Sequence, residues 1–338
     1  MADNKYEALF SLIMDITTCI HIPLKLFAIY VIVRHTPPQL RHYSYFTLNT
    51  MFWNFLCNFV TAFVHFYPLF PAVCFRANGI ARHFITSEEF GLWLYLLVAL
   101  LLVECCLALL FAFPHRYIVF VYPKLAARIR PIWVFALCAA VHVLFALFYF
   151  PVAVGWTIST DDYPNLAELP DTQFVVCFNP IRMVNVAVTY AAGIAAGILI
   201  IVACSVLFLR KVRKFQKEIT HEDTLALQKK VFANLLTLTA VTTLFGGIPF
   251  MVMVSAFIFP SAPYNREMTM ISTMIIANHG SISAVAYLVF FKAYRVAVKR
   301  ICSDLINKLT GRKIKVRSVV VCLKKSNISL SIALPNLK

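Results

Sequence analysis

The sequence predicts an all-α membrane protein: a bundle of seven transmembrane helices with the N-terminus outside and an amphipathic helix after the last span. Three observations predict this class: seven long apolar stretches, a very apolar composition, and basic residues concentrated in alternate loops. Hydrophobic residues make up 61% of the 338 residues and charged residues 14%, values that a water-soluble core does not explain. The composition therefore indicates a chain that exposes much of its surface to lipid.

Each of the seven stretches is long enough to cross a bilayer as a helix. About 20 apolar residues, at a rise of about 1.5 Å per residue, span the hydrocarbon core. Strands of a membrane barrel would be about 10 residues long and would alternate apolar with polar residues, and these stretches do neither. The predicted spans are residues 10–33, 43–67, 90–113, 132–155, 184–209, 231–259 and 268–291.

The orientation of the bundle follows from the distribution of Lys and Arg. With the N-terminus outside, the inside segments hold 25 of the 31 Lys and Arg, and the outside segments hold 5 of them together with 9 of the 15 acids. Basic loops are retained in the cytoplasm. The sequence therefore predicts an extracellular N-terminus at 1–9, a seven-span domain at 10–291 and a cytoplasmic tail at 292–338. Anionic lipid of the inner leaflet explains the net charge of +16, and no nucleic acid is expected as a partner.

Cysteine placement agrees with this orientation. Of the ten cysteines, only Cys74 and Cys177 fall in the predicted outside loops, where oxidation is permitted, and they are candidates for one disulfide. Those within spans are small packing residues more often than ligands. No pair has zinc-finger spacing, so we expect neither a metal nor another cofactor.

The start of the predicted tail has the pattern of an amphipathic helix. Residues 292–309 place apolar side chains at helical spacing, with Lys and Arg between them, as in a helix that lies on a lipid surface. Membrane lipid is therefore a predicted partner. Cys302 is a palmitoylation candidate, with an unmodified cysteine as the equal alternative.

Basic residues lie at the inner ends of the third and sixth spans. The third span is followed by His115-Arg116-Tyr117. This resembles the position at which G-protein-coupled receptors carry an Arg between a polar residue and an aromatic one, so these residues are candidates for coupling to a G protein. Such an Arg keeps its guanidinium group hydrated while its aliphatic stem lies along the helix ends. The alternative is that Arg116 only anchors the helix on the cytoplasmic side. His115 stands in place of the usual acid, so an acid lock on Arg116 is absent. The basic loop 210–230 is expected to continue the fifth and sixth helices and to meet the G protein, with Lys229 and Lys230 at its end.

The sixth span contains a candidate hinge. Gly246, Gly247 and Pro249 lie close together there, and a proline removes an intrahelical hydrogen bond and opens a kink. The alternative is a bend without function, because glycine and proline are frequent in membrane helices.

Glu104 is the most informative residue for a ligand pocket. A charged group in lipid is costly and usually faces the bundle interior, and Glu104 lies midway along the third span. Glu104 lies at a similar depth in the membrane to His279 of the seventh span, so it could pair with His279 or act as counter-ion for an amine or a bound cation. The alternative is a structural pair with no role in ligand binding. Asn278 is the third pocket candidate, whereas Lys25 and His142 fit hydrogen bonds between helices equally well.

The last span resembles that of the nematode serpentine chemoreceptors of the Str superfamily, particularly classes H and I. The matching positions are His279, Gly280, Ser283, Lys292, Tyr294 and Arg295. Ala284 and Ala293 stand where the family pattern has Thr and Pro. Shorter similarities occur at Thr36-Pro37 and over residues 43–49.

The resemblance implies an olfactory-type G-protein-coupled receptor, not an enzyme. Such a receptor binds a small chemical from outside and activates a heterotrimeric G protein. The resemblance also implies a multi-pass protein of the plasma membrane, in the cilia of sensory neurons.

A multi-pass transporter or a ligand-gated channel is the alternative class. Transporters and channels favour repeated halves, interrupted helices and polar lining residues. Asp15, Lys25 and Glu104 are the only acids, Lys or Arg in the predicted spans, too few for an obvious ion path. An enzyme would need His, Cys or acids clustered at one face, and a retinal pigment would need a Lys within 268–291, where the sequence has none.

Overall fold

Helices make up most of the computed structural model, which describes residues 2–37, 41–122, 125, 128–165, 169, 173–215 and 222–310. The first five helices are α1 (Ala2–His35), α2 (Arg41–Phe63), α3 (Glu88–Val121), α4 (Pro131–Val154) and α5 (Met183–Phe215). Helix α6 has an inner part (Glu222–Thr242), a π-helical segment (Thr243–Gly247) and an outer part (Ile248–Ile258). Helices α7 (Asn265–Phe290) and α8 (Lys292–Thr310) complete the described chain.

Six of these helices, α1 and α3 to α7, are long and apolar enough to cross a membrane. The fold is therefore that of a helical multi-pass membrane protein. Helix α2 is 23 residues long, but Asn49, Asn54 and Asn58 lower its hydropathy. Asn54 and Asn58 are buried, so these polar groups face the bundle. The membrane crossing of α2 stays a prediction.

One predicted boundary is wrong. The predicted second span extends to residue 67, but α2 ends at Phe63 and the chain forms a strand from His65. Other helices extend beyond their predicted spans; α3 continues past residue 113, through Pro114, to Val121. Proline is tolerated within a membrane helix because neighbouring groups satisfy the backbone group that it frees.

A small antiparallel sheet covers one end of the bundle. Its strands are β1 (His65–Pro68), β2 (Cys74–Asn78), β3 (Thr157–Ile158) and β4 (Val175–Phe178), in the order β1-β2-β4-β3. Aromatic and β-branched residues predominate in β1 and β4, as is typical of strands. Cys74 lies opposite Cys177 in the ladder, and the two form a disulfide. The predicted disulfide is thus confirmed.

Two carboxylates connect this sheet and the loop after β3 to the helices, through one ion pair and several hydrogen bonds. Glu7 of α1 accepts from Nη1 of Arg76 at 3.1 Å and from Nδ2 of Asn78 at 2.9 Å, both on β2. At the start of α3, Glu88 accepts from the backbone N–H of Thr160 at 2.8 Å. The sheet therefore lies at the same end of the bundle as the start of α1.

Helix α8 packs against the far end of α1, and its extent confirms the predicted amphipathic helix. Thr36 donates to the Ile32 carbonyl, and Tyr294 then donates to Thr36 Oγ1 at 2.9 Å. Burial raises the pKa of Tyr294, so its hydroxyl stays protonated and keeps this donor. Leu309 and Cys302 are exposed, as expected where a helix meets a lipid surface. Palmitoylation of Cys302 stays a prediction.

Replacing either bridged cysteine is expected to damage the receptor equally. Loss of a native disulfide typically costs about 2–5 kcal/mol, and each single change, Cys74→Ser or Cys177→Ser, removes the same bond. Surface immunostaining of cells should reveal the same loss of delivery in both variants and no further loss in the double variant. Cys19→Ser, at an exposed free cysteine, is the matched control. Unequal or additive defects would contradict a shared bond.

Candidate functional site

An apolar cavity of about 130 Å³ lies beneath the sheet, in the half of the bundle near the start of α1. We call it the outer cavity. Its wall is mainly apolar and includes eight phenylalanines and tyrosines from β1, β2, β4 and four helices: Phe66, Phe75, Tyr95, Tyr149, Phe178, Tyr190, Phe250 and Phe257. Such walls favour a compact, largely apolar ligand.

A pair of hydroxyl groups supplies the outer cavity with hydrogen-bonding capacity. Tyr149 Oη lies 3.4 Å from Tyr190 Oη, and each tyrosine lines the cavity. His65 lines it as well, with Nδ1 3.3 Å from Ser11 Oγ and Nε2 3.6 Å from an Asp15 carboxylate oxygen. A ligand held there would meet apolar side chains, many of them aromatic, over most of its surface and a polar pair at one place.

The three predicted pocket residues do not line the outer cavity. Asn278 Nδ2 donates to the Met274 carbonyl of its own helix at 2.8 Å. His279 faces α2, and Glu104 is hydrogen-bonded to His142 of α4. Pairing of Glu104 with His279 is therefore wrong: the two residues face different neighbouring helices.

Sequence reasoning missed the aromatic residues of this cavity. Phenylalanine is so common in the chain, with 30 residues, that its presence within a span does not distinguish a pocket residue from packing or lipid-facing material. The available signal was the tyrosines, since Tyr95, Tyr149 and Tyr190 lie within spans. A buried hydroxyl needs a partner, which distinguishes tyrosine from phenylalanine as a candidate pocket residue.

A polar cluster joins α1, α2 and α7. The buried Lys25 of α1 donates from Nζ to the Asn54 carbonyl at 3.2 Å and also to Asn54 Oδ1. Asn54 Nδ2 lies 3.0 Å from His279 Nε2, and the other ring nitrogen, Nδ1, faces the Ile276 carbonyl. Donors and acceptors match if His279 is neutral with its proton on Nδ1, a tautomer assigned from the network.

Gly280 is needed for Asn54 to reach this position. A Cβ atom at residue 280 would lie 1.6 Å from Asn54 Oδ1, well inside contact distance. One residue further, the buried Ser281 hydroxyl is hydrogen-bonded to Nδ1 of His21 on α1. Gly280, one of the residues that carry the family resemblance, and Ser281 beside it therefore let α2 and α1 approach α7 closely.

The predicted hinge coincides with the π-helical segment of α6. Gly246 and Gly247 end this segment, and Pro249 lies in the first turn of the outer part. The Cβ position of Gly246 is 3.4 Å from Cδ2 of His279, so the segment lies against the polar cluster. Single π turns often mark functional sites in helices, which agrees with a hinge, but the movement itself stays a prediction.

At the opposite end of the bundle, aromatic packing holds α3, α5 and α6 together. Phe208 of α5 stacks on Phe232 of α6 with ring centroids 4.0 Å apart, and Tyr117 packs against them. Phe208 and Phe232 were not singled out from the sequence. The adjoining His115 ring lies 4.2 Å from the ring of Phe46 on α2.

The other predicted coupling residues are only partly described. Lys229 is exposed on the inner part of α6. Arg116 lies in α3 and Lys230 in α6, but their side chains are outside the part of the structure that is described. Their role in coupling stays a prediction.

Comparison with known proteins identifies a family. The model described as Serpentine type 7TM GPCR chemoreceptor Srh matches residues 5–304. A comparison with curated proteins found no match.

Enlarging Gly280 is expected to destabilise the protein by breaking the polar cluster. In Gly280→Ala the new methyl group must displace Asn54, which separates the amide from Lys25; overpacking alone typically costs about 1–3 kcal/mol. The melting temperature of the purified protein in detergent should fall. Gly193→Ala is the control, since a Cβ there meets nothing within 4 Å.

A second variant identifies the clash as the cause. Asn54→Ala should lower the melting temperature less in the background of Gly280→Ala than in the unmodified protein. The reason is that the stability effects of substitutions at residues in contact are not additive. Equal costs in both backgrounds, or equal melting temperatures for the two glycine variants, would contradict this account of the cluster.

Proposed function

The chain belongs to the Srh family of serpentine seven-transmembrane chemoreceptors, and on this premise we propose an olfactory-type receptor that binds a small chemical from outside and activates a heterotrimeric G protein. The outer cavity carries the proposal, because it is apolar, lies inside the helix bundle and is covered by a disulfide-bonded sheet. The proposed location is the plasma membrane of sensory cilia, as expected of such a receptor.

We propose that α2 also crosses the membrane, which brings the six candidate spans to seven, and that the start of α1 is outside. The buried contacts of Asn54 and Asn58 with α1 and α7 support the first point, since a helix whose polar groups face its neighbours needs less lipid-facing apolar surface. The Glu7 contact with Arg76 supports the second, because it puts the start of α1 on the same side as the disulfide, and disulfides form on the oxidising side. The division at residues 1–9, 10–291 and 292–338 follows from this topology.

The proposed ligand is a compact apolar chemical with one hydrogen-bonding group. The aromatic walls give it apolar contact, and the hydroxyl pair of Tyr149 and Tyr190 is placed to bind its polar group. Volatile odorants have this chemistry. Glu104, Asn278 and His279 are not part of the proposed ligand site.

Helix α6 supplies the proposed route from ligand to G protein. Its outer part contributes Phe250 and Phe257 to the cavity, and its inner part contributes Phe232 to the stack with Phe208. The π-helical segment lies between them. If the ligand binds more tightly when the outer part of α6 has shifted, its binding favours that conformation. In the proposed conformation the inner ends of the helices are apart. Separation would open the region beside Arg116, Lys229 and Lys230 to the G protein.

Narrowing the outer cavity should weaken activation. Ala99 lines the cavity, and Ala99→Leu is expected to reduce the potency of an agonist roughly tenfold or more, since a misfit of even one methylene is worth that much. The measurement is a dose–response curve for G-protein activation, using agonists found in a panel of volatile chemicals. Ala140→Leu, on the exposed side of α4, adds the same atoms away from the cavity. Equal potency shifts in both variants would contradict the proposed ligand site.

Removing the Arg116 side chain should abolish activation. Arg116→Ala is expected to leave surface expression intact and to eliminate the agonist response, because the guanidinium group is the proposed contact at the inner helix ends. Arg130→Ala removes another cytoplasmic charge at an exposed position and controls for simple anchoring. Unchanged signalling in Arg116→Ala would remove this residue from coupling, and a current that persists without G protein would indicate a channel.

A further inference from the structure

A second cavity, of about 390 Å³, lies between α2, α3 and α4. We infer that this second cavity is a separate site for a small hydroxyl-bearing amphiphile that enters from the lipid. Its volume lies within the range of roughly 300–1,000 Å³ that is usual for small-molecule sites. The described lining residues of the two cavities do not overlap, so a ligand in one does not occupy the other.

Three of the side chains that line the second cavity carry a buried polar atom without a hydrogen-bond partner among the described residues. Glu104 is 1% and His142 5% exposed, and Glu104 Oε2 is hydrogen-bonded to Nδ1 of His142. The second carboxylate oxygen, Oε1, and the second ring nitrogen, Nε2, are buried with no hydrogen-bond partner among the described residues. The same is true of Asn49 Nδ2, and all three side chains line the cavity. Buried polar groups are normally hydrogen-bonded, so these atoms indicate a missing polar partner.

A hydroxyl group matches two of these atoms, Glu104 Oε1 and Asn49 Nδ2, better than an ammonium group or an alkane does. Glu104 Oε1 is an acceptor and Asn49 Nδ2 is a donor. A hydroxyl can donate to the first and accept from the second, whereas an ammonium group has no acceptor for Asn49. An alkane satisfies neither atom. The rest of the wall is largely apolar, including Phe46, Trp53 and Leu100, and suits an alkyl chain.

The entrance to the second cavity faces outward from the bundle. Phe52, Phe135 and Val143 line it and are exposed to 54%, 39% and 58%. Glu104 and His142 lie midway along α3 and α4, which corresponds to the middle of a bilayer. An amphiphile dissolved in the membrane can therefore reach the site from the hydrocarbon region.

An occupant would lie close to the coupling residues. Phe46 lines the second cavity, and its ring contacts that of His115, the residue before Arg116. Binding there is expected to bias the inner end of α3, and so to shift agonist potency. The site itself does not depend on the proposed chemosensory function, since binding can be measured without signalling.

Photolabelling of the purified full-length protein tests the site. The protein is reconstituted in phosphatidylcholine vesicles, labelled with an octanol that carries a diazirine, and digested for mass spectrometry. Saturable labelling is expected at Trp53, Phe135 or Val143. Excess 1-octanol should reduce this labelling several-fold, and octane or octylamine should reduce it much less. Cholesterol in the vesicles is a separate arm: competition by it would make a membrane sterol, rather than a free alcohol, the natural source of the hydroxyl.

Two variants keep the test informative. Glu104→Gln preserves the shape of the side chain but removes its charge, and it should weaken the labelling. If that variant fails to fold, Ala139→Trp fills part of the cavity from α4, keeps both Glu104 and His142 in the sequence, and should abolish the labelling. Labelling spread evenly over lipid-facing residues, or lost equally to octane, would overturn the proposal. Unchanged labelling in both variants would also overturn the proposal, because the polar atoms would then be satisfied by water and not by the alcohol.

Discussion

The buried ammonium group of Lys25 imposes the constraint on which the helix bundle depends. A cation within the membrane region must be surrounded by oxygen atoms, and Asn54 provides two of them. Asn54 can do so only where residue 280 has no side chain. The amide therefore fixes how closely α1, α2 and α7 approach one another. It also explains how a helix with several asparagines is retained inside an apolar bundle.

The positions of the two cavities follow from this packing. With α2 held against α1 and α7, the chain leaves the helix at Phe63 and forms the sheet that covers the outer cavity. The opposite side of α2 faces α3 and α4, where the second cavity lies. His279 belongs to the polar cluster and also contacts the π-helical segment of α6 at Gly246. The cluster thus connects α1, α2 and α7 with the helix proposed to move.

Predictions from the sequence succeeded where a local pattern was sufficient. They failed where hydropathy did not distinguish a strand from a helix, and where two helices had to be oriented. The amphipathic helix after residue 292 required only its periodicity, and the disulfide of Cys74 and Cys177 required only their placement outside the spans. The end of the second span was misplaced because apolar strand residues such as Phe66 continue the hydropathy of the helix. The partner of Glu104 was wrong because depth along a helix says nothing about the direction in which a side chain points.

The sequence by itself determined that the chain is a helical membrane protein, which ends of its helices are basic, and which family it resembles. These properties depend on hydropathy, charge and short motifs, and each is a local feature of the chain. Only the tertiary structure decided that Glu104 meets His142, that Asn54 lies against Gly280, and that tyrosines and phenylalanines surround the outer cavity. These contacts depend on the rotation and spacing of the helices. That packing is a property of the whole bundle, because close contacts among several helices must be satisfied together.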